Sequence, residues 1–150
     1  MSIGSWIEGS QDFWARCESG ETVKLVKPDL DCALTTKRRV VGQLTVCQGC
    51  CRGNTERGLP EVPVEWLKSE WRKRGLLKRV QLTISGCVGP CDVPNVVVVT
   101  SSVGTEWVGS LERFEEYRTL VEWAVRCKDA GEMLPLPKEF DARRLNPFSR

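Results

Sequence analysis

The sequence predicts one mixed α/β domain, a small four-stranded sheet with two helices on one face. The first observation is periodicity: short segments alternate apolar and polar residues as strands do, and two longer ones repeat at helical spacing. The second is length, because 150 residues with 41% hydrophobic content suit one domain with one core. The third is organisation: residues 39–128 carry these patterns, so we expect 1–38 and 129–150 to be N- and C-terminal extensions.

The first part of the predicted domain is a strand followed by a helix. Apolar residues within Val40–Val46 are spaced on one face of a strand that runs directly into Cys47. The pattern of Glu61–Arg74 then predicts a helix, in which Pro63 suits the first turn and Gly75 follows the last. The first cysteine of the domain therefore stands at the end of a strand.

Three more strands are predicted in the second part. Val80–Ile84 alternates as a half-buried strand does, and it ends at a Ser-Gly pair just before Cys87. Val96–Val99 is a continuous β-branched run, typical of a strand covered on both faces, and Thr105–Val108 is its natural hairpin partner. A second group of cysteines thus also follows a strand.

The remaining segments are a second helix and two extensions. Ser110 is the predicted N-cap of a helix that continues to about Arg126 along an apolar stripe. After Gly131 the prolines predict a loosely docked tail with no regular structure beyond short turns. Within the N-terminal extension, only Thr22–Val26 resembles a short strand.

Two features of the composition exclude whole classes of function. The chain contains no histidine, which rules out His-dependent triads, zincin-type sites and imidazole-ligated haem. Its 22 basic and 20 acidic residues leave a net charge of +2, too balanced to predict nucleic-acid binding. Since there is neither a membrane-length apolar run nor an export signal, we expect a cytoplasmic protein that binds no nucleic acid and no membrane.

Eight cysteines must carry any metal chemistry of the chain, and their clustering favours metal or redox chemistry over a disulfide scaffold. If the two strands that precede them are parallel neighbours, about 4.8 Å apart, the cysteine groups emerge side by side and can reach one metal site. The clustered cysteines are Cys47, Cys50, Cys51, Cys87 and Cys91.

Four thiolates can hold zinc or an iron–sulfur cluster. The Cys87 group is C-x-x-x-C with an intervening Gly-Pro, unlike the C-x-x-C pairs of structural zinc sites, and this favours iron–sulfur. The alternatives are a zinc-stabilised interaction module, an iron or redox sensor, and a thiol–disulfide oxidoreductase that uses Cys47-x-x-Cys50. The cysteines without a cysteine neighbour are interpreted as buried or incidental thiols: Cys17, Cys32 and Cys127.

From about Val40 to Cys127 the sequence resembles the thioredoxin-like 2Fe-2S ferredoxins, including bacterial ferredoxin-domain proteins. The resemblance rests on the strand before Cys47, on Cys50-Cys51 before a helix, and on the segment Gly86-Cys-Val-Gly-Pro-Cys followed by a valine-rich strand. It implies a thioredoxin-like fold and one 2Fe-2S cluster that carries one electron. It also implies an electron carrier or cluster-bearing accessory protein with no substrate chemistry of its own. The expected partner is a redox protein, and a homodimer is compatible with the resemblance.

The resemblance also implies the ligands, two from each cysteine group. Cys47, Cys87 and Cys91 match the family pattern. The second ligand is ambiguous, because the family spacing is usually longer and this chain offers two adjacent cysteines. We favour Cys51, which stands where the family chain turns toward its helix, and keep Cys50 as the alternative.

Overall fold

The computed structural model describes residues 36–48 and 55–148. These residues form a mixed α/β structure, which confirms the predicted class. In the described ranges, neither α-helix is both long enough and apolar enough to cross a membrane. The elements are β1 (Gly42–Cys47), α1 (Val64–Lys73), β2 (Val80–Ser85), β3 (Val97–Ser101), β4 (Gly104–Val108), α2 (Phe114–Ala130) and β5 (Arg144–Leu145), with 3₁₀ turns at Thr55–Arg57, Leu76–Lys78 and Lys138–Arg143.

The sheet has five strands in the order β2-β1-β3-β4-β5. β1 and β2 are parallel, with Cys47 in register with Ser85, and the other neighbouring pairs are antiparallel. The prediction of four strands was therefore wrong by one. The fifth comes from the C-terminal tail, where only Arg144 and Leu145 pair with β4, and so short a segment shows no periodicity in the sequence.

The core lies between one face of the sheet and the two helices. Alternate strand residues such as Leu44, Val46, Val97 and Val99 join residues of both helices in a single buried cluster, which confirms that the helices share a face. Val98 points to the opposite face and is also buried, as predicted for a β-branched strand covered on both sides.

Helix α1 begins three residues later than predicted, at Val64, with Pro63 as its N-cap. Gly75 adopts the left-handed conformation that ends the helix, as predicted (φ 63°). At this end Arg74 binds Glu70 of its own helix at 2.8 Å and Glu122 of α2 at 3.0 Å. The pair with Glu122 joins the two helices across their polar edges.

Helix α2 begins at Phe114, so the prediction of Ser110 as its N-cap was wrong. Ser110 instead has a left-handed backbone (φ 57°), and its N–H donates to the carbonyl of Pro94 at 2.7 Å. The start of α2 is stabilised by the buried carboxylate of Glu116, which accepts hydrogen bonds from the N–H groups of Glu112 and Arg113. The carboxylate of Glu116, rather than the hydroxyl of Ser110, thus caps the start of α2.

The C-terminal tail packs more tightly than predicted. Phe140 is only 1% exposed within the 3₁₀ turn 138–143, and Leu136 is also buried. Arg143 binds Glu116 and donates to the carbonyl of Ser110 at 2.7 Å. The expectation of a loosely docked tail was therefore wrong, because a few apolar anchors and one arginine hold a segment that the prolines had marked as irregular.

Candidate metal centre

The two cysteine groups follow the carboxyl ends of two neighbouring parallel strands. Cys47 is in register with Ser85, and the N–H of Gln48 donates to the Ser85 carbonyl at 2.8 Å. The parallel ladder therefore continues to the point where both strands end. This confirms the condition on which the sequence-based expectation depended, since parallel neighbours release their loops at the same edge of a sheet.

Cys47 lies at the buried side of this edge. Cys47 is only 2% exposed, and its backbone N–H donates to the carbonyl of Val96 at 3.1 Å. The Cys47 Sγ lies 3.0 Å from the carbonyl oxygen of Gly86. Because Gly86 immediately precedes Cys87, the first predicted ligand lies directly against the start of the second cysteine loop.

Cys87 and Cys91 form the exposed side of the same edge. Their Sγ atoms are 3.2 Å apart, although the Cα atoms of residues four positions apart would be about 13 Å apart in an extended chain. The loop turns back at Gly89, whose φ of 126° is a conformation that residues with a side chain rarely adopt. Gly89 is therefore the residue that lets the two thiols meet.

The far end of this loop is anchored by Asn95, a residue that the sequence analysis did not single out. Asn95 is 1% exposed and has a left-handed backbone (φ 46°). Its Nδ2 donates to the carbonyls of Pro60 at 2.9 Å and Leu111 at 2.8 Å. Its residue type is consistent with this role, because asparagine tolerates positive φ and its side-chain amide can donate two hydrogen bonds.

The Cys87 and Cys91 sulfurs lie close to the spacing of two thiolates on one tetrahedral metal. Thiolates bound at about 2.3 Å to a tetrahedral metal stand about 3.8 Å apart, so the Cys87 and Cys91 sulfurs need to separate by only about 0.6 Å. Within 36–48 and 55–148, no three Cys, Asp or Glu side chains are grouped closely enough to hold one ion. The predicted second ligand, Cys51 or its alternative Cys50, lies outside the described residues. Among the described residues, Cys87 and Cys91 therefore supply one close pair of thiols suited to one metal, with Cys47 beside the start of their loop.

The structure also describes one of the cysteines that were not predicted as ligands. Cys127 is fully buried in α2 and accepts a hydrogen bond from the N–H of Leu134 at 3.3 Å. Burial raises the pKa of its thiol, which keeps the sulfur protonated. This matches its interpretation as a buried thiol, whereas Cys17 and Cys32 lie outside the described residues.

An open groove of about 540 Å³ lies beside the Cys87 loop. Trp107 of β4 and Phe148 form one wall and meet edge to face, with ring centroids 5.8 Å apart. Val88 and Pro90 of the cysteine loop also line the groove. An apolar patch built partly from the C-terminal tail thus lies beside the loop that carries the two exposed thiols.

Comparison with protein-family profiles, with curated proteins and with solved structures finds no match to this chain. Its function must therefore be argued from the arrangement of its own residues.

Proposed function

We propose that this protein is a ferredoxin-like electron carrier or cluster-bearing accessory protein of thioredoxin-like fold that holds one 2Fe-2S cluster through Cys47, Cys51, Cys87 and Cys91. One observation carries the proposal. Thiols follow the ends of two parallel neighbouring strands, and the Cys47 Sγ lies 3.0 Å from the carbonyl of Gly86, beside the second group. Cysteines that only fill the core would not be expected to cluster at one edge of the sheet.

The contacts suggest how the ligands divide between the two irons. Cys87 and Cys91 are a close pair, with sulfurs 3.2 Å apart, and are suited to share one iron. Cys47 would then share the other with Cys51, four residues along the chain. When bound, such a cluster supplies one-electron transfer at a potential set by its surroundings.

The protein's own contribution is to shield one side of the centre and open the other. Cys47 is buried against β3, which excludes water from the side toward the core. Cys87 and Cys91 are exposed. A redox partner protein would therefore approach from the side of the Cys87 loop, where the path for an electron is shortest.

The deciding experiment is anaerobic purification of the full chain, followed by visible absorption and by iron, sulfide and zinc analysis. The proposal expects a brown protein with about two irons and two sulfides per chain that accepts one electron from dithionite. A colourless protein with about one zinc would favour the zinc-stabilised module instead, and a metal-free chain would contradict both.

A pair of variants makes the result specific. Cys87→Ser should abolish iron binding, whereas Cys32→Ser removes a thiol outside the predicted ligand set and should leave the iron content unchanged. Equal loss of iron from both variants would contradict the ligand assignment, because it would point to a general effect of removing a cysteine.

A further inference from the structure

We infer that Cys87 and Cys91 are a redox-active dithiol that closes to a reversible disulfide when no metal is bound, with a low-molecular-weight disulfide as the oxidant. The dithiol itself stands on the geometry of this loop. Its regulatory consequence, described below, rests on the proposed function, because it concerns two of the proposed cluster ligands.

The distance between the sulfurs carries the inference. At 3.2 Å the two Sγ atoms are already in contact. A disulfide bond of about 2.05 Å needs an approach of roughly 1.2 Å, whereas tetrahedral metal coordination needs a separation of roughly 0.6 Å. The loop thus lies between its two bonded states, and a small movement in either direction reaches one of them.

The surroundings of the loop allow that movement. Gly86 and Gly89 flank Cys87 and Val88, and among the residues that the structure describes no atom lies within 4 Å of a Cβ added at either glycine. Open space on both sides means that the backbone can shift without displacing packed side chains. Both thiols are also exposed, so a small disulfide can reach either sulfur from solvent.

The chemistry is two successive thiol–disulfide exchanges. The thiolate of Cys87 or Cys91 attacks one sulfur of the oxidant, its S–S bond breaks, and one small thiol leaves with a proton from solvent. The second cysteine then attacks the protein sulfur of the mixed disulfide, and the other small thiol leaves in the same way. The dithiol loses two electrons and two protons, and the small disulfide gains both.

The other described cysteines are poorly placed for this reaction. Cys47 is 2% exposed, and Cys127 is fully buried with its pKa raised by burial. Of the described cysteines, Cys87 and Cys91 are therefore the ones that the oxidant reaches most easily. Since the disulfide occupies both sulfurs, its closure removes two proposed ligands, and cluster assembly becomes dependent on the thiol redox state.

The test uses the full chain, freed of metal by chelation under anaerobic conditions. Samples are equilibrated in buffers of increasing oxidised-to-reduced glutathione ratio, and their free thiols are then alkylated with a maleimide. The protein is digested with trypsin, and the peptide masses are measured by mass spectrometry. The sequence suits this test, because no Lys or Arg lies between Arg79 and Arg113. Peptide 80–113 therefore contains Cys87 and Cys91 alone, whereas peptide 40–52 contains Cys47, Cys50 and Cys51.

We expect peptide 80–113 to lose both maleimide labels as the ratio rises and to become lighter by two hydrogens, with full recovery in dithiothreitol. Cys91→Ser should instead accumulate a glutathione adduct on Cys87, because the second exchange has no attacking thiol. The inference is overturned if peptide 80–113 keeps both labels while peptide 40–52 oxidises, or if the wild-type loop retains glutathione.

Iron uptake by the same samples separates this inference from the proposed function. With the cluster proposal correct, the reduced chain takes up iron and sulfide and the oxidised chain does not. If the disulfide forms but the reduced chain binds no iron, the dithiol is supported and the cluster proposal fails. If the reduced chain binds iron and no disulfide forms, the cluster proposal is supported and the dithiol is overturned.

Discussion

The thiol of Cys47 donates a hydrogen bond of 3.0 Å to the backbone carbonyl of Gly86, the residue before Cys87. This contact links the two cysteine groups, whose first cysteines, Cys47 and Cys87, are 40 positions apart in the sequence. A thiolate cannot donate, so ligation of a metal by Cys47 would exchange this hydrogen bond for a metal–sulfur bond. The contact holds the Cys47 sulfur against the start of the Cys87 loop.

The adjacent pair Cys50 and Cys51 gives the first prediction. Cys51→Ser should lose most of the iron measured after anaerobic purification, because it removes a proposed thiolate ligand, and Cys50→Ser should retain it. The two variants serve as controls for each other, since they change neighbouring residues in the same way. The reverse result would assign the second ligand to Cys50.

The turn of the cysteine loop gives a second prediction. Gly89→Ala places a side chain on a backbone at φ 126° and should cost about 1–3 kcal/mol of loop stability, which lowers iron content and thermal stability. Gly86→Ala is the matched control, because Gly86 has open space around it and no positive φ. Similar iron loss in both variants would show that the conformation of Gly89 is not what shapes the loop.

Asn95 gives a third prediction, measured by chemical denaturation. Asn95→Ala removes two side-chain hydrogen bonds, leaves the Pro60 and Leu111 carbonyls without this donor, and should lower the free energy of unfolding by about 2 kcal/mol. Asn146→Ala changes an exposed asparagine and should alter it by less than about 0.5 kcal/mol. Equal effects would contradict an anchoring role for Asn95.

The pH dependence of stability gives a fourth prediction, centred on Glu116. Burial alone would raise the pKa of this carboxyl, but the N–H groups of Arg113 and Glu112 and the charge of Arg143 outweigh burial and lower it below its ordinary value of 4.5. A lowered pKa in the folded state means that the stabilisation is present above the ordinary value and is lost as pH falls through the folded one.

Glu116→Gln should therefore cost about 2 kcal/mol at neutral pH and should flatten the acid limb of a stability–pH curve measured by denaturant unfolding. Glu115→Gln is the control, because Glu115 is exposed, pairs with Arg118 at the surface and should matter little. An unchanged acid limb in Glu116→Gln would contradict the assignment.

The packing of the tail gives a fifth prediction. Phe140→Ala should lower the free energy of unfolding by about 3–5 kcal/mol, because it leaves a cavity under the 3₁₀ turn. Phe148→Ala removes a ring that is 69% exposed and should cost less than about 1 kcal/mol. A small effect at Phe140 would mean that the tail is not part of the cooperative unit.

The sequence predicted those elements that carry their own periodicity. β1, β2, β3 and β4 were found within two residues of their expected ends, since alternating or continuous apolar residues reflect which faces are buried. The position of Cys47 and Cys87 after two strands followed from the same signal. By contrast, β5 has two residues and no period, and the sequence gives no way to detect so short a strand.

Ser110 and Asn95 show why the remaining features could not be predicted. Serine is a common N-cap residue, but the N–H of Ser110 donates to the Pro94 carbonyl and its own carbonyl accepts from Arg143. The start of α2 is instead capped by Glu116 of the helix itself, which Arg143 also binds. Asn95 looks like a loop residue until the carbonyls of Pro60 and Leu111 are brought to it. Both roles depend on partners that are distant in sequence.

By itself, the sequence determined the α/β class, the strand ends that carry cysteines, and the exclusion of imidazole ligands and His-dependent catalysis. Only the tertiary structure decided that β1 and β2 are parallel neighbours, that Cys47 is buried while Cys87 and Cys91 are exposed, and that the last two approach to 3.2 Å. The reason is physical: periodicity and composition are local properties of the chain, whereas pairing, burial and distance between sulfurs depend on which distant segments the core brings together.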